Sequence, residues 1–107
     1  MTFDELLTKV RGMRDTIDIS GTNFLAVQVN ITGDNSGVFY IEIKDGKINV
    51  EPYDYHDRSC GITISSDNFN KLIDGKLDPV AAFTLGKLKV DGDLGKALEF
   101  SNLIKKK

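Results

Sequence analysis

Near the start of the chain, Phe3, Leu6, Leu7, Val10 and Met13 recur at spacings of three and four, with Asp4, Glu5, Lys9, Arg11 and Arg14 between them. That period lines one side of an amphipathic helix. Thr2 and Glu5 stand three residues apart, the spacing of a capping box, in which hydroxyl and carboxylate satisfy backbone N–H groups that a helix start leaves unpaired. The helix is therefore expected to begin near residue 3. From Phe24 the period becomes two: Leu25, Val27, Val29 and Ile31 alternate with Ala26, Gln28 and Asn30, as in a strand with one buried face. The segment from Gly33 to Gly37 reads as a turn, after which Phe39, Ile41 and Ile43 alternate with Tyr40, Glu42 and Lys44. Asp45-Gly46 suits the positive backbone angles of a two-residue hairpin turn and leads into a third strand carrying Ile48 and Val50. Pro52 lacks a backbone donor and ends that strand, and the polar stretch from Tyr53 to Ser59 reads as a connecting loop.

Beyond the loop, Ile62 and Ile64 alternate with Thr63 and Ser65 as a fourth strand. Ser66 or Asp67 is expected to cap a short helix holding Phe69, Leu72 and Ile73, which Gly75 closes. Asp78-Pro79 starts a further helix, since proline in the first turn loses no needed hydrogen bond; Gly86 ends it, and Ala82 and Phe83 are expected to face inward. Leu88 and Val90 alternate with Lys87, Lys89 and Asp91 as a fifth strand. Asp93 then caps a last helix whose apolar side reads as Leu94, Ala97, Leu98, Ser101 and Ile104. Five strands with one apolar face each, and four helices able to cover only that face, give a two-layer α+β domain spanning residues 1–107, with a mostly antiparallel sheet.

Size and composition agree with one core. The chain has 107 residues, 40% apolar and 28% charged, the balance of an ordinary globular domain. Fourteen Lys and Arg against sixteen Asp and Glu give a net charge of −2, so no protein-wide positive field exists to hold nucleic acid. The basic run Lys105, Lys106 and Lys107 reads as a solvated end, and at most peripheral membrane contact is expected. The single cysteine, Cys60, builds no intramolecular disulfide framework, and no segment approaches the run of about 20 apolar residues that spans a bilayer. A cytoplasmic setting is expected.

Candidates for chemistry are few. His56, Asp57 and Cys60 supply an imidazole, a carboxylate and a thiol, the types that nucleophilic catalysis combines. Neighbours in sequence rarely converge on one point, however, and the segment reads as a surface loop entering a strand. Asp91-Gly92-Asp93 and Gly33-Asp34-Asn35-Ser36 offer oxygen ligands without the fixed spacing and late glutamate of a calcium loop, so a helix cap and a turn account for them. Gly86, Gly92 and Gly95 miss the dinucleotide and phosphate-loop spacings. No metal, cofactor or catalytic residue is expected.

The stretch GITISSDNFNKLIDGKLDPVAAFTLGKLKVDGDLGKAL, from Gly61 to Leu98, resembles the C-terminal half of the sterol carrier protein 2 domain. Its recognisable pieces are the strand ending in Ser65, the turn from Gly75 to Pro79, Ala82-Phe83, and Gly86 to Val90 followed by Gly92-Asp93. The N-terminal half agrees in layout. The resemblance implies a five-stranded sheet covered by helices, with an apolar tunnel between the layers that binds sterols, fatty acyl chains or acyl-CoA, and no catalysis. Family members sent to peroxisomes end in a small residue, a basic residue and leucine. This chain ends Ile104-Lys105-Lys106-Lys107, so peroxisomal import is not expected. Well-known sterol carriers of the family are basic, and this chain is mildly acidic.

A tunnel needs apolar side chains that line a space without filling it. The candidates are Phe39 and Ile41 on the second strand, Ile62 and Ile64 on the fourth, and Phe69 and Leu72 on the helix that follows. Phe83, Leu85 and Leu88 come next, and Leu98, Phe100 and Leu103 complete the set on the last helix. The partner expected is a lipid or other elongated apolar ligand, held by a monomer or weak dimer. A structural or dimerising accessory module, filled solidly by its own side chains, is the first alternative; a catalytic function centred on His56 and Cys60 is the second.

Overall fold

The computed structural model describes residues 2–13, 17–22, 24–33, 36–55 and 58–104. Helix α1 (Phe3–Gly12) is followed by strands β1 (Phe24–Thr32), β2 (Gly37–Lys44), β3 (Lys47–Glu51) and β4 (Cys60–Ser65). Helices α2 (Ser66–Ile73) and α3 (Pro79–Thr84), strand β5 (Leu88–Gly92) and helix α4 (Leu94–Ile104) complete the chain. The expected capping box is present: the Glu5 N–H donates to the Thr2 hydroxyl, and the Thr2 N–H donates to the Glu5 carboxylate. Asp78 and Asp93 cap α3 and α4 as expected, each carboxylate accepting a backbone N–H three residues on. The cap of α2 is Ser65 instead of Ser66 or Asp67; its hydroxyl accepts the Asn68 N–H, so the helix starts directly off the strand.

The sheet order is β3-β2-β1-β4-β5. Three of the pairings are antiparallel, while β1 and β4 run parallel. Residues paired across neighbouring strands share a face, so the register sorts the sheet into rows. One face carries Leu88, Ile64 and Ile31 in one row, Val90, Ile62, Val29 and Phe39 in the next, then Cys60, Val27, Ile41 and Val50, and finally Leu25, Ile43 and Ile48. All four helices contribute to covering this side: α2 packs on β1 and β4, α4 on β1, β4 and β5, α3 on β5, and α1 on β3 and α2. One position in the first row is a glycine, Gly37, opposite Ile31. A side chain there would start 2.6 Å from the ring of Phe3, so the missing Cβ makes the space in which α1 lays its first aromatic residue.

The other face carries Gln28, Asn30, Glu42, Asn49 and Thr63. Strands β3 and β4 both run in the direction of β1, so the segment joining them has to cross the sheet, and it crosses on this polar face. Tyr55 anchors the crossing: its N–H donates to the Gln28 side chain at 3.1 Å, its hydroxyl donates to Glu42 at 2.6 Å, and its ring meets Tyr40 edge-on at 5.0 Å. This strap explains why Ala26, on the face expected to be open to water, has no exposed surface. The Tyr55 hydroxyl is also the chief reason why the Glu42 carboxyl is held below its ordinary range.

Tyr55→Phe is therefore expected to lower stability by about 1 kcal/mol at neutral pH, because a hydrogen bond to a charged group is lost. A carboxylate with a depressed folded-state pKa stabilises above its unfolded value and loses that contribution as pH falls. The difference between natural and Tyr55→Phe chains should thus shrink in urea titrations run below the ordinary carboxylate range. An equal difference at neutral and acid pH would show that Glu42 is not the partner that matters.

Candidate functional site

The apolar layer between sheet and helices is where the expected lining residues gather. Phe39 and Ile41 lie on β2, Ile62 and Ile64 on β4, Leu88 on β5, Phe69 and Leu72 on α2, and Phe100 on α4; all eight are buried, with 2% or less of their surface exposed. Their elements explain their convergence. Strand alternation sends the five strand residues to one face, and i, i+3 spacing puts Phe69 and Leu72 on one side of α2. Phe69 meets Phe39 edge-on at 5.8 Å, and Phe39 in turn lies 6.1 Å from Phe3, so an aromatic file links α2, β2 and α1. Leu103 on α4 is half-buried and packs against this layer, and Leu98 on the same helix is half-buried.

Two of the twelve candidates lie elsewhere. Phe83, expected to face inward, is 41% exposed, and Leu85 is 67% exposed. Helix α3 instead buries Pro79 and Ala82, whose small side chains let it sit close against β5 and α4. Its opposite side, with Val80 and Phe83, then faces outward. A similar rotation holds for α4: Leu94, read as part of the apolar side, is exposed, and the buried set is Ala97, Phe100, Ser101 and Ile104. The Ser101 hydroxyl satisfies itself within the helix by donating to the Ala97 carbonyl.

Walls with so little accessible surface mean that side chains occupy the space between the layers. A hollow wide enough for water would leave accessible area on the residues around it. An open depression of about 680 Å³, bounded by Ile17, Asp18, Ile19, Ser20, Thr22, Asp45 and Gly46, involves none of the twelve residues. The helices are held over the layer mainly by apolar packing, with polar ties at the rim. Lys9 on α1 donates to Asn70 and pairs with Asp74 at 2.9 Å, beside α2, and Arg11 donates to the Val50 carbonyl at 3.2 Å on the edge strand.

The thiol considered as a nucleophile is unsuited to that role. Cys60 is 1% exposed, and burial, helped by the nearby Asp93 and Asp91 and opposed by Arg58, pushes its pKa up to about 11. A thiolate is the reactive form, and this site disfavours it. His56 and Asp57 lie outside the described residues, as do Asp34, Asn35 and the terminal lysines. Among the described residues no group of three or more His, Cys, Asp or Glu side chains is placed to hold a metal ion, and no helix is long and apolar enough to cross a membrane.

A mixed five-stranded sheet with one polar face and one apolar face under four helices defines an α+β domain whose distinguishing feature is its oily interlayer. Residues 3–105 match the SCP-2 sterol transfer family, and the chain belongs to that family. It is 35% identical over 71 residues, 66% of its length, to human sterol carrier protein 2, and 35% identical over 80 residues, 72% of its length, to hydroxysteroid dehydrogenase-like protein 2 of Xenopus tropicalis. The matched segments span 13% and 19% of those much longer proteins. Among solved structures, palmitated SCP2L2 from Aedes aegypti has the same fold, with a TM-score of 0.73 at 17% identity, covering 97% of this chain and 95% of that one. Lipid binding is thus the general role of this kind of domain.

Proposed function

We propose that this chain binds one elongated apolar molecule, a sterol, a fatty acid or a fatty acyl-CoA, between the sheet and its helices, shields it from water and gives it up again. The observation that carries this reading is the continuous apolar face of β1, β2 and β4, roofed by helices α2 and α4. Both helices rest on it mainly by packing, and the hydroxyl of the fully buried Ser101 bonds within α4. Each CH₂ moved from water into such a layer gains about 0.8 kcal/mol, so an acyl chain competes well for the space once a helix shifts. Phe39, Ile62, Phe69, Leu72 and Phe100 are the walls it would meet, with the half-buried Leu98 and Leu103 as further candidates. The palmitated state of the Aedes aegypti fold neighbour supports an acyl chain as one occupant. Binding is the whole activity in this reading, with no catalytic residue.

Uptake requires the closed layer to open, which sets up the test. Titration with a fluorescent fatty acid should saturate at one molecule per chain, and native mass spectrometry should show the corresponding mass increment. Absence of uptake in both would remove the proposal. The near-complete burial of the walls favours one rival, an accessory or dimerising module whose interior is permanently filled by its own side chains. The titration separates the two, since the rival takes up no ligand, and sedimentation equilibrium then shows whether its role is dimerisation; the carrier requires uptake by a monomer or weak dimer.

A further inference from the structure

Six large apolar side chains are exposed among the described residues, and three of them fall within the six positions from Val80 to Leu85. Val80 is 58% exposed, Phe83 41% and Leu85 67%. Val80 and Phe83, three apart on α3, share its outer side, and Leu85 continues the patch from the C-cap. This arrangement follows from the rotation of α3 that buries Pro79 and Ala82. A short helix has thereby been turned so that its larger apolar residues meet water, at a cost in hydrophobic free energy that packing within the chain does not recover.

The ends of the patch are basic. Lys76 lies in the turn entering α3 and Lys87 directly beyond its end, both exposed. Neither makes an ion pair among the described residues, a property they share with Lys44, Lys47, Lys71 and Lys89. The carboxylate nearest the patch in sequence, Asp78, accepts the Ala81 N–H at the helix start. Apolar side chains flanked by unpaired lysines are the composition that binds at a bilayer interface, with apolar groups in the boundary between headgroups and acyl chains and ammonium groups among anionic headgroups.

We propose that the α3 corner is a docking surface for a lipid bilayer bearing anionic headgroups, with Val80, Phe83 and Leu85 entering the interface and Lys76 and Lys87 pairing with headgroup phosphates. This goes beyond lipid binding between the layers and does not depend on it. The overall charge of −2 limits long-range attraction, so docking is local and weakens as salt rises.

The test is sedimentation of the full chain with vesicles of phosphatidylcholine alone and of phosphatidylcholine mixed with phosphatidylglycerol. The natural chain should bind the mixed vesicles at low salt and release them at high salt. Phe83→Ser with Leu85→Ser should weaken binding by about tenfold or more, and Lys76→Gln with Lys87→Gln by about fivefold or more. Both pairs change exposed positions, and unaltered circular dichroism and melting show that the fold persists. Tyr53→Ser, which removes an exposed aromatic residue from another part of the surface, should bind as the natural chain does. Failure of the natural chain to bind mixed vesicles would overturn the proposal. So would binding that survives Phe83→Ser with Leu85→Ser, or a concentration-dependent dimer abolished by that pair in a chain that ignores vesicles. Fatty-acid uptake measured without vesicles should be unchanged in the same variant, which keeps this surface and the interlayer distinguishable.

Discussion

Phe69→Ala is expected to lower the free energy of unfolding by about 3 to 5 kcal/mol, the range for removing a large aromatic side chain from a closed core. Phe69 has no exposed surface and stands edge-on to Phe39 at 5.8 Å, so the substitution removes both apolar burial and a favourable ring contact. The void cannot easily collapse. Helix α2 starts directly off β4, with the Ser65 hydroxyl capping its first turn, so that end of the helix cannot move independently of the sheet. For a domain of this size the loss is a large fraction of total stability. Urea denaturation followed by circular dichroism measures it, and a loss below about 1 kcal/mol would mean that the layers are not closely packed at this point.

The second large effect concerns pH and Cys60. Its thiol holds its proton in the folded chain up to a pKa of about 11, against 9.0 for an unperturbed thiol. Below 9 both states are protonated, and the contribution to stability is fully present. Between 9 and 11 the unfolded chain releases a proton that the folded chain retains, so stability falls as pH rises through that window. The loss should amount to about 2 to 3 kcal/mol in the natural chain beyond whatever Cys60→Ala shows over the same range. Urea midpoints of the two chains, recorded at intervals from neutral to strongly alkaline pH, give the comparison. Parallel curves would place Cys60 in contact with water. The same burial predicts that a disulfide reagent reacts with this thiol only as fast as the chain opens.

Periodicity along the chain was a good guide where an element is long enough to show it. In the nine residues of β1 the alternation is interrupted only at Ala26, and Asp45 and Gly46 take the positive φ values of 53° and 74° that a two-residue hairpin needs. Helix α3 shows where that guide stops. In six residues, less than two turns, Pro79 with Ala82 and Val80 with Phe83 are equally spaced, and only the closeness of approach to β5 selects the smaller pair for burial. The parallel pairing of β1 with β4 goes with contacts that periodicity does not reveal, such as Tyr55 bonding Gln28 and Glu42, side chains far off in sequence. Burial of Ala26 and the space that Gly37 leaves for Phe3 are long-range in the same sense. Of the twelve residues expected around a ligand, the eight buried ones follow from strand alternation, helix spacing and packing toward the sheet. Phe83 and Leu85 were misplaced because their type suggested an interior that their short helix does not give them.

The most direct test of lipid binding between the layers is a solution NMR titration of the isotopically labelled chain with palmitate. Saturable one-to-one shifts at Val29, Ile62, Phe69 and Phe100, with Gln28 and Thr63 on the polar face much less affected, are the predicted result. Unmoved resonances at those inner residues, whether nothing shifts or only Val80 and Leu85 at the surface do, would contradict it.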